Sequence, residues 1–254
     1  MIKSIIKSAL KRQGYQISPY SEPPAAGSDK RAAGNMESFL EDIRARGLKP
    51  KHILDVGAAS GNWCRMAQRV FPEAGFTLIE PRAEESDALT LFCDTYPQSR
   101  VVTAGAGSKP GELPLTIGED PEGSSFFIDE TEAKRYGLQQ RVVPIVTIDS
   151  LFQTNEYPIP ELVKLDVQGS ELDALCGAQC LFPNTEIFIL ECSLFEPKPN
   201  YSTVMRTMTF MEKQGYALYD VAGFLRRPRD GALAQMDLVF AKEQGMFRTS
   251  HAWV

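Results

Sequence analysis

The sequence predicts an α/β protein built on an open, mostly parallel sheet with helices on both faces. Three observations predict it. Short apolar runs recur through the middle of the chain, at 53–56, 76–79, 162–167 and 186–191, as strands covered on both faces do. Segments of helical period alternate with them. The first run leads through a glycine-bearing turn straight into a helix, at the place where open sheets of this kind bind nucleotide-like ligands.

Taken in order, residues 1–17 (MIKSIIKSALKRQGYQI) read as an amphipathic helix. Ile2, Ile5, Ile6, Ala9 and Leu10 share one side, and Lys3, Lys7 and Lys11 recur every fourth residue on the other. Such a helix packs on its own domain or on a partner subunit, or lies on an anionic membrane surface. Residues 18–34 are rich in Pro, Gly, Ser and Ala and read as a linker. The main domain is expected over 35–245, with a tail at 246–254. It opens with a helix carrying Met36, Phe39, Leu40 and Ile43 and ending at Gly47.

The segment 51–70 (KHILDVGAASGNWCRMAQRV) is the centre of the chain. Ile53, Leu54 and Val56 form a strand, Gly57 and Gly61 punctuate the turn, and Asn62 is placed to cap a helix with Trp63, Met66, Ala67 and Val70 inward. A second strand follows at 76–80 and ends in Glu80 before Pro81. A helix over 83–96, a third strand at 100–103 and the small-residue turn AGAGS at 104–108 come next. Repeated Gly and Pro argue against a helix in 109–146, and the runs ELPLTI and RVVPIVTI read as β additions. Thr147 or Asp149 caps the helix of TIDSLF.

The fourth strand, in ELVKLDVQGSELDALCGA, places Lys164 and Asp166 on one face, because side chains alternate along a strand. Charges on a central strand are costly unless paired or solvated. A helix starts near Ser170, so Gln168 and Glu171 join Lys164 and Asp166 at the strand's carboxyl end. A fifth strand at 186–191 also ends in an acid. A helix over 202–214 and two closing strands at 216–221 and 236–242, antiparallel to each other, complete the domain.

The bulk numbers narrow the function. A chain of 254 residues suits one α/β domain with additions. A net charge of −6 argues against a general nucleic-acid binder. Five cysteines without a dense framework suit a reduced, cytoplasmic protein, and two distant histidines make a zinc site improbable. No apolar run is long enough to span a membrane.

The turn register is Gly57, Ala59, Gly61, which misses the dinucleotide fingerprint, and no Gly-Lys-Ser/Thr follows it. Asp55 before the first glycine, with Glu80 ending the next strand, resembles the cofactor motif of the class I S-adenosylmethionine methyltransferases. The wider pattern resembles the FkbM-type methyltransferases. It consists of ILDVGAASG, LIEP, the small-residue turn with Gly111, VTIDSL, VKLDVQGSELDALCGA and FILE. The stretch VKLDVQG-x-E is its most specific part. Ala59 stands where that family usually has Asn, and Gln168 and Ser170 stand where it has an acid and a His.

The resemblance implies a class I methyltransferase Rossmann-like fold with a seven-stranded sheet and S-adenosylmethionine as methyl donor. It also implies a hydroxyl acceptor on a small molecule such as a sugar, glycan or polyketide. Cofactor contacts are expected from Asp55, Gly57, Ala58, Gly61, Glu80, Ala106 and Asp166. For the chemistry, Asp166 or Glu171 is expected as the carboxylate that takes the hydroxyl proton, with Lys164 as its charge partner and Glu191 nearby. A divalent metal held by these carboxylates is the alternative, although no metal ligand set is assigned. A catalytically silent cofactor-binding module and a nucleotide-dependent oxidoreductase are the competing classes. Self-association stays open.

Overall fold

The computed structural model describes residues 31–82, 86–118, 123–153 and 156–252. The amphipathic segment 1–17 and most of the expected linker lie outside them. Helix α1 (Met36–Ala45) begins behind Asn35, whose side chain accepts from the Ser38 amide and so satisfies one of the donors a helix start leaves open. Strand β1 (His52–Val56) and helix α2 (Asn62–Val70) follow, then β2 (Gly75–Ile79), α3 (Ser86–Thr95) and β3 (Arg100–Val102). Later in the chain come β7 (Leu162–Leu165), α6 (Glu171–Cys176), β8 (Ile187–Ser193), α7 (Val204–Lys213), β9 (Tyr216–Arg226) and β10 (Leu233–Lys242).

These strands make one seven-stranded sheet in the order β3-β2-β1-β7-β8-β10-β9. The first five of that order run parallel, and β10 is antiparallel to both β8 and β9. The order reverses between β1 and β7, so the carboxyl ends of these two neighbours form the crevice where open sheets take ligands. Every residue of β1, β2 and β7 is buried. Side chains of alternate direction therefore feed two apolar layers. Phe39, Ile53, Phe76 and Val239 lie in one, and Leu54, Val163, Phe188 and Phe240 in the other.

A separate small sheet, β4 (Gly105–Ala106), β6 (Gln139–Val146) and β5 (Gly111–Ile117), is inserted after β3. It forms from the two alternating runs the sequence showed. The expectation that 109–146 holds no helix is corrected by α4 (Glu130–Tyr136). Asp129 accepts from the Glu132 amide, and Gly137 closes α4 in the left-handed conformation. The Gly and Pro residues bracket this short helix instead of preventing it. In α5 (Ile148–Phe152) the cap is Thr147, while Asp149 accepts from the Cys180 amide at 2.8 Å.

Contacts with the sheet extend past the expected limits of the domain at both ends. Arg31 pairs with Asp220, and the Gly34 amide donates to the Val221 carbonyl at 2.9 Å. The end of the expected linker is thus fastened to β9. At the other terminus Phe247 packs at a tilt against Tyr219, and the Met246 amide donates to Glu186. No helix of the described residues is long and apolar enough to cross a membrane.

Phe188 is fully buried in β8, edge-on to Tyr216 with ring centroids 5.0 Å apart. Phe188→Ala should lower the unfolding free energy by about 3–5 kcal/mol. Urea titration measures this, and a loss below about 1 kcal/mol would mean that the layer repacks around the gap.

Candidate active site

The turn after β1 is shaped by close approach. Gly57 has φ of +82°, and a Cβ there would stand 1.9 Å from the Asp166 carbonyl oxygen. The Gly57 and Ala58 amides donate to the Ile79 carbonyl, and the Asp166 amide donates to that of Val56. The ends of β1, β2 and β7 are thereby held together. Ala59 also has a left-handed φ, of +45°, which costs a residue with a Cβ. Its amide donates to Glu80 Oε2 at 2.8 Å, and Glu80 Oε1 accepts from the Arg82 amide at 3.0 Å. The expected helix cap is corrected. Gly61, with φ of +78°, holds the N-cap position, and Asn62 begins the helix with its side-chain oxygen accepting from Arg65.

Above this turn lies a cavity of about 350 Å³, within the span of small-molecule sites. Gly57, Ala58, Ser60 and Glu80 line one side, and residues 104–106 with Leu115, Ser124 and Phe126 line the end toward the inserted sheet. Trp63 and Met36 form another wall. Lys164, Asp166, Gln168, Glu191 and Asp237 form the side over β7, β8 and β10.

That last side is a network of charge. Lys164 Nζ lies 3.0 Å from Asp166 Oδ2, with the lysine side chain 8% exposed and the aspartate 30%. Gln168 Nε2 bridges Asp166 Oδ1 and Glu191 Oε2, at 3.3 Å each, and Gln235 Nε2 reaches the same Glu191 oxygen at 3.0 Å. Asp237 faces Glu191 across the β8–β10 ladder. Gln168 holds a left-handed φ of +53°, strain of the kind that gathers at functional sites.

Burial pushes Asp166 up, but the Lys164 ammonium and its hydrogen bonds outweigh this and hold it below its ordinary value. Burial, then the neighbouring acids, push Glu191 up to about 9. Burial also raises Asp237. Lys164 is kept protonated, because Asp166 and Asp55 outweigh its desolvation.

The structure brings Gly57, Ala58, Glu80, Ala106, Lys164 and Asp166 together on the cavity wall. Three expected site residues stand behind it. Gly61 shapes the turn. Asp55 is fully buried on β1 opposite Lys164, with no hydrogen-bond partner for either oxygen among the described residues, and burial raises it to about 7. Glu171 is fully buried as well. Its Oε1 accepts from the Val167 and Gly169 amides at 3.0 and 3.1 Å, so it braces the turn after β7, and burial raises it to about 7. His52 lies far from the cavity, bonded to Thr77. Among the described residues no group of three or more His, Cys, Asp or Glu is arranged to hold a metal ion.

Asp237, Gln235, Trp63, Ser124 and Phe126 were not singled out as site residues from sequence. Asp237 had one signal, a lone acid in the apolar run MDLVF. Trp63 read as core because it falls on the apolar side of its helix. Its indole N–H, buried on the wall, has no partner among the described residues.

The chain matches the family model described as "Methyltransferase FkbM domain" over residues 55–218. No curated protein matches it. Among solved structures, a methyltransferase FkbM from Methylobacillus flagellatus is 16% identical, with a TM-score of 0.52 over 82% of this chain and 48% of that one. This chain therefore spans about half the length of that protein. The O-methyltransferase TomG from Streptomyces achromogenes, in complex with SAM, is 9% identical, with a TM-score of 0.48 over 94% of this chain and 88% of that one. A 1,6-didemethyltoxoflavin-N1-methyltransferase from Burkholderia thailandensis, with S-adenosylhomocysteine bound, is 10% identical, with a TM-score of 0.46 over 82% and 76%.

The raised acids set a pH dependence for the ligand-free protein. A carboxyl whose folded pKa exceeds its unfolded one binds its proton more tightly when folded, so its contribution is full at low pH and is lost as pH rises through the folded value. Asp55 and Glu171, near 7, and Glu191, near 9, all act in this direction. The melting temperature should fall between pH 5.5 and 9. Glu191→Gln should flatten the part of the fall above pH 7 and leave the variant more stable than wild type at pH 9. Parallel curves for the two proteins in a thermal-melt series would refute the assignment of Glu191.

Proposed function

The chain belongs to the FkbM methyltransferase family, and on that premise we propose that it transfers a methyl group from S-adenosylmethionine to a hydroxyl oxygen of a small molecule. The acceptor class is a sugar, glycan or polyketide-like compound. One observation carries the reading. The cavity at the sheet's switch point is lined by one carboxylate, Glu80, at the end of β2 and by a second, Asp166, beyond the end of β7, which suits a donor's ribose at the first and a hydroxyl proton at the second.

The residues present fit the donor. Glu80 accepts from the Ala59 and Arg82 amides and lines the cavity, and a carboxylate is an acceptor suited to ribose hydroxyls. Gly57 and Ala58 bring backbone to the cavity wall, and residues 104–106 leave room for a flat ring. The indole N–H of Trp63, without a partner among the described residues, suits a carboxylate, which the amino-acid part of the donor carries. When bound, the donor supplies a methyl group already activated on a sulfonium.

The protein's tasks are then alignment and proton removal. Lys164 keeps Asp166 ionised, and Gln168 fixes the carboxylate from its other oxygen. Asp166 accepts the hydroxyl proton as the oxygen takes the methyl. Such a base contributes about 10²- to 10⁴-fold, and holding the two reactants in line supplies much of the rest. Glu171 acts at one remove, through the turn that presents Gln168. Asp55 acts through Lys164.

Incubation with a methyl-labelled donor and a panel of hydroxylated acceptors tests the reading. Label is expected in an ether. Label on nitrogen, carbon or RNA would overturn the acceptor class, and donor binding without transfer to any acceptor would favour a silent binding module.

Two variants test the roles. Asp166→Asn should bind S-adenosylhomocysteine within about threefold of wild type, yet lose about 10²-fold or more in single-turnover rate. Glu80→Ala should weaken donor binding by about 1–3 kcal/mol, as read by titration calorimetry. A normal dissociation constant for Glu80→Ala would remove Glu80 from the donor site.

A further inference from the structure

The inserted sheet reaches the cavity through the loop between β5 and α4. That loop is pinned over residues 125–128, directly after Ser124. Ser125 exchanges two backbone hydrogen bonds with Thr116, each of 3.0 Å. The Ser125 hydroxyl accepts from the Phe127 amide. Gln140 Nε2 donates to both Thr116 Oγ1 and the Ile128 carbonyl, at 2.8 and 2.9 Å. The Ser124 hydroxyl alone is left over. It lines the cavity, its oxygen is shielded from solvent, and it has no hydrogen-bond partner among the described residues. A buried hydroxyl without a partner is costly, so its neighbours' anchoring points to a ligand atom that completes it.

The order of the cavity identifies that atom's part of the donor. Glu80 ends the β2 side, and Asp166, Glu191 and Asp237, assigned above to the acceptor side, lie over β7, β8 and β10. In the donor the ribose joins the base to the sulfonium. With the ribose at Glu80 and the sulfonium toward Asp166, the base extends the other way, past β2 to residues 104–106. There Phe126 closes over the backbone, and a Cβ on Gly105 would stand 2.8 Å from its Cζ. An adenine lying there would meet an aromatic ring and the Ser124 hydroxyl.

We propose that Ser124 is a specificity-determining residue that accepts a hydrogen bond from the exocyclic amine of the donor's adenine, with Phe126 covering the base. The inserted sheet is then part of the donor site. This rests on the donor reading above and adds to it a residue and a ligand atom.

Titration calorimetry with S-adenosylhomocysteine and its purine-riboside analogue, which lacks the exocyclic amine, tests the proposal without any acceptor. Wild type should prefer the amine-bearing ligand by about tenfold. Ser124→Ala should bind both ligands equally, with an unchanged melting temperature in the absence of ligand. Ser124→Thr, which keeps the hydroxyl, should restore a preference. An undiminished preference in Ser124→Ala would overturn the proposal while leaving the donor reading intact. Failure of wild type to bind either ligand would overturn both.

Discussion

The site depends on one close approach, that of the Asp166 carbonyl to the α-carbon of Gly57. No side chain fits between them, since a Cβ would lie 1.9 Å from that oxygen. Glycine tolerates the left-handed backbone that this turn needs. Without the contact, β1 and β7 would splay at their carboxyl ends. Everything chemical is mounted on that junction. The turn at 57–61 faces one side of the cavity, and Lys164, Asp166 and Gln168 face the other. Glu80 ties the same turn to β2 through the Ala59 amide, so three strand ends are locked before any ligand arrives.

A second constraint is electrostatic. On the side of the cavity over β7, β8 and β10, one ammonium, Lys164, faces Asp166, Glu191 and Asp237, with Asp55 beneath it. Not all of these acids can ionise together in a buried setting. The arrangement divides them. Asp166 keeps its charge because it touches Lys164, and Glu191 keeps its proton because burial and the neighbouring acids outweigh the pull of that ammonium. Neutral amides from Gln168 and Gln235 fill the gaps between carboxyls. At position 168 an acid, usual in the family, would add a further charge to an already crowded wall.

The parallel half of the sheet was legible in the sequence because buried strands announce themselves as apolar runs, and the motif at 162–171 marked its own importance. Lys164 and Asp166 were found because alternation along a strand determines facing. What escaped has physical reasons. Glu171, five residues after Asp166, was named as a candidate base, but its place at the start of α6 turns it under the turn, where it accepts from two amides. Asp237 lies 46 residues beyond Glu191, and only the antiparallel register of β8 with β10 sets them side by side. Trp63 has the spacing of a core residue, and no periodicity distinguishes a core from a cavity wall. Helix α4 was missed because its caps, Asp129 and Gly137, resemble the punctuation of a loop.

The fastening of Arg31 and Gly34 to β9 has a practical side. From there the chain passes within two residues to Met36, at the cavity's rim. At the other terminus the Met246 amide is held by Glu186, just ahead of β8, whereas Glu191 lies near that strand's opposite end. The described residues therefore run from beside the mouth to the far side of the sheet. Tethered to a biosensor surface through its carboxyl end, the protein would present the mouth outward to the flowing solution.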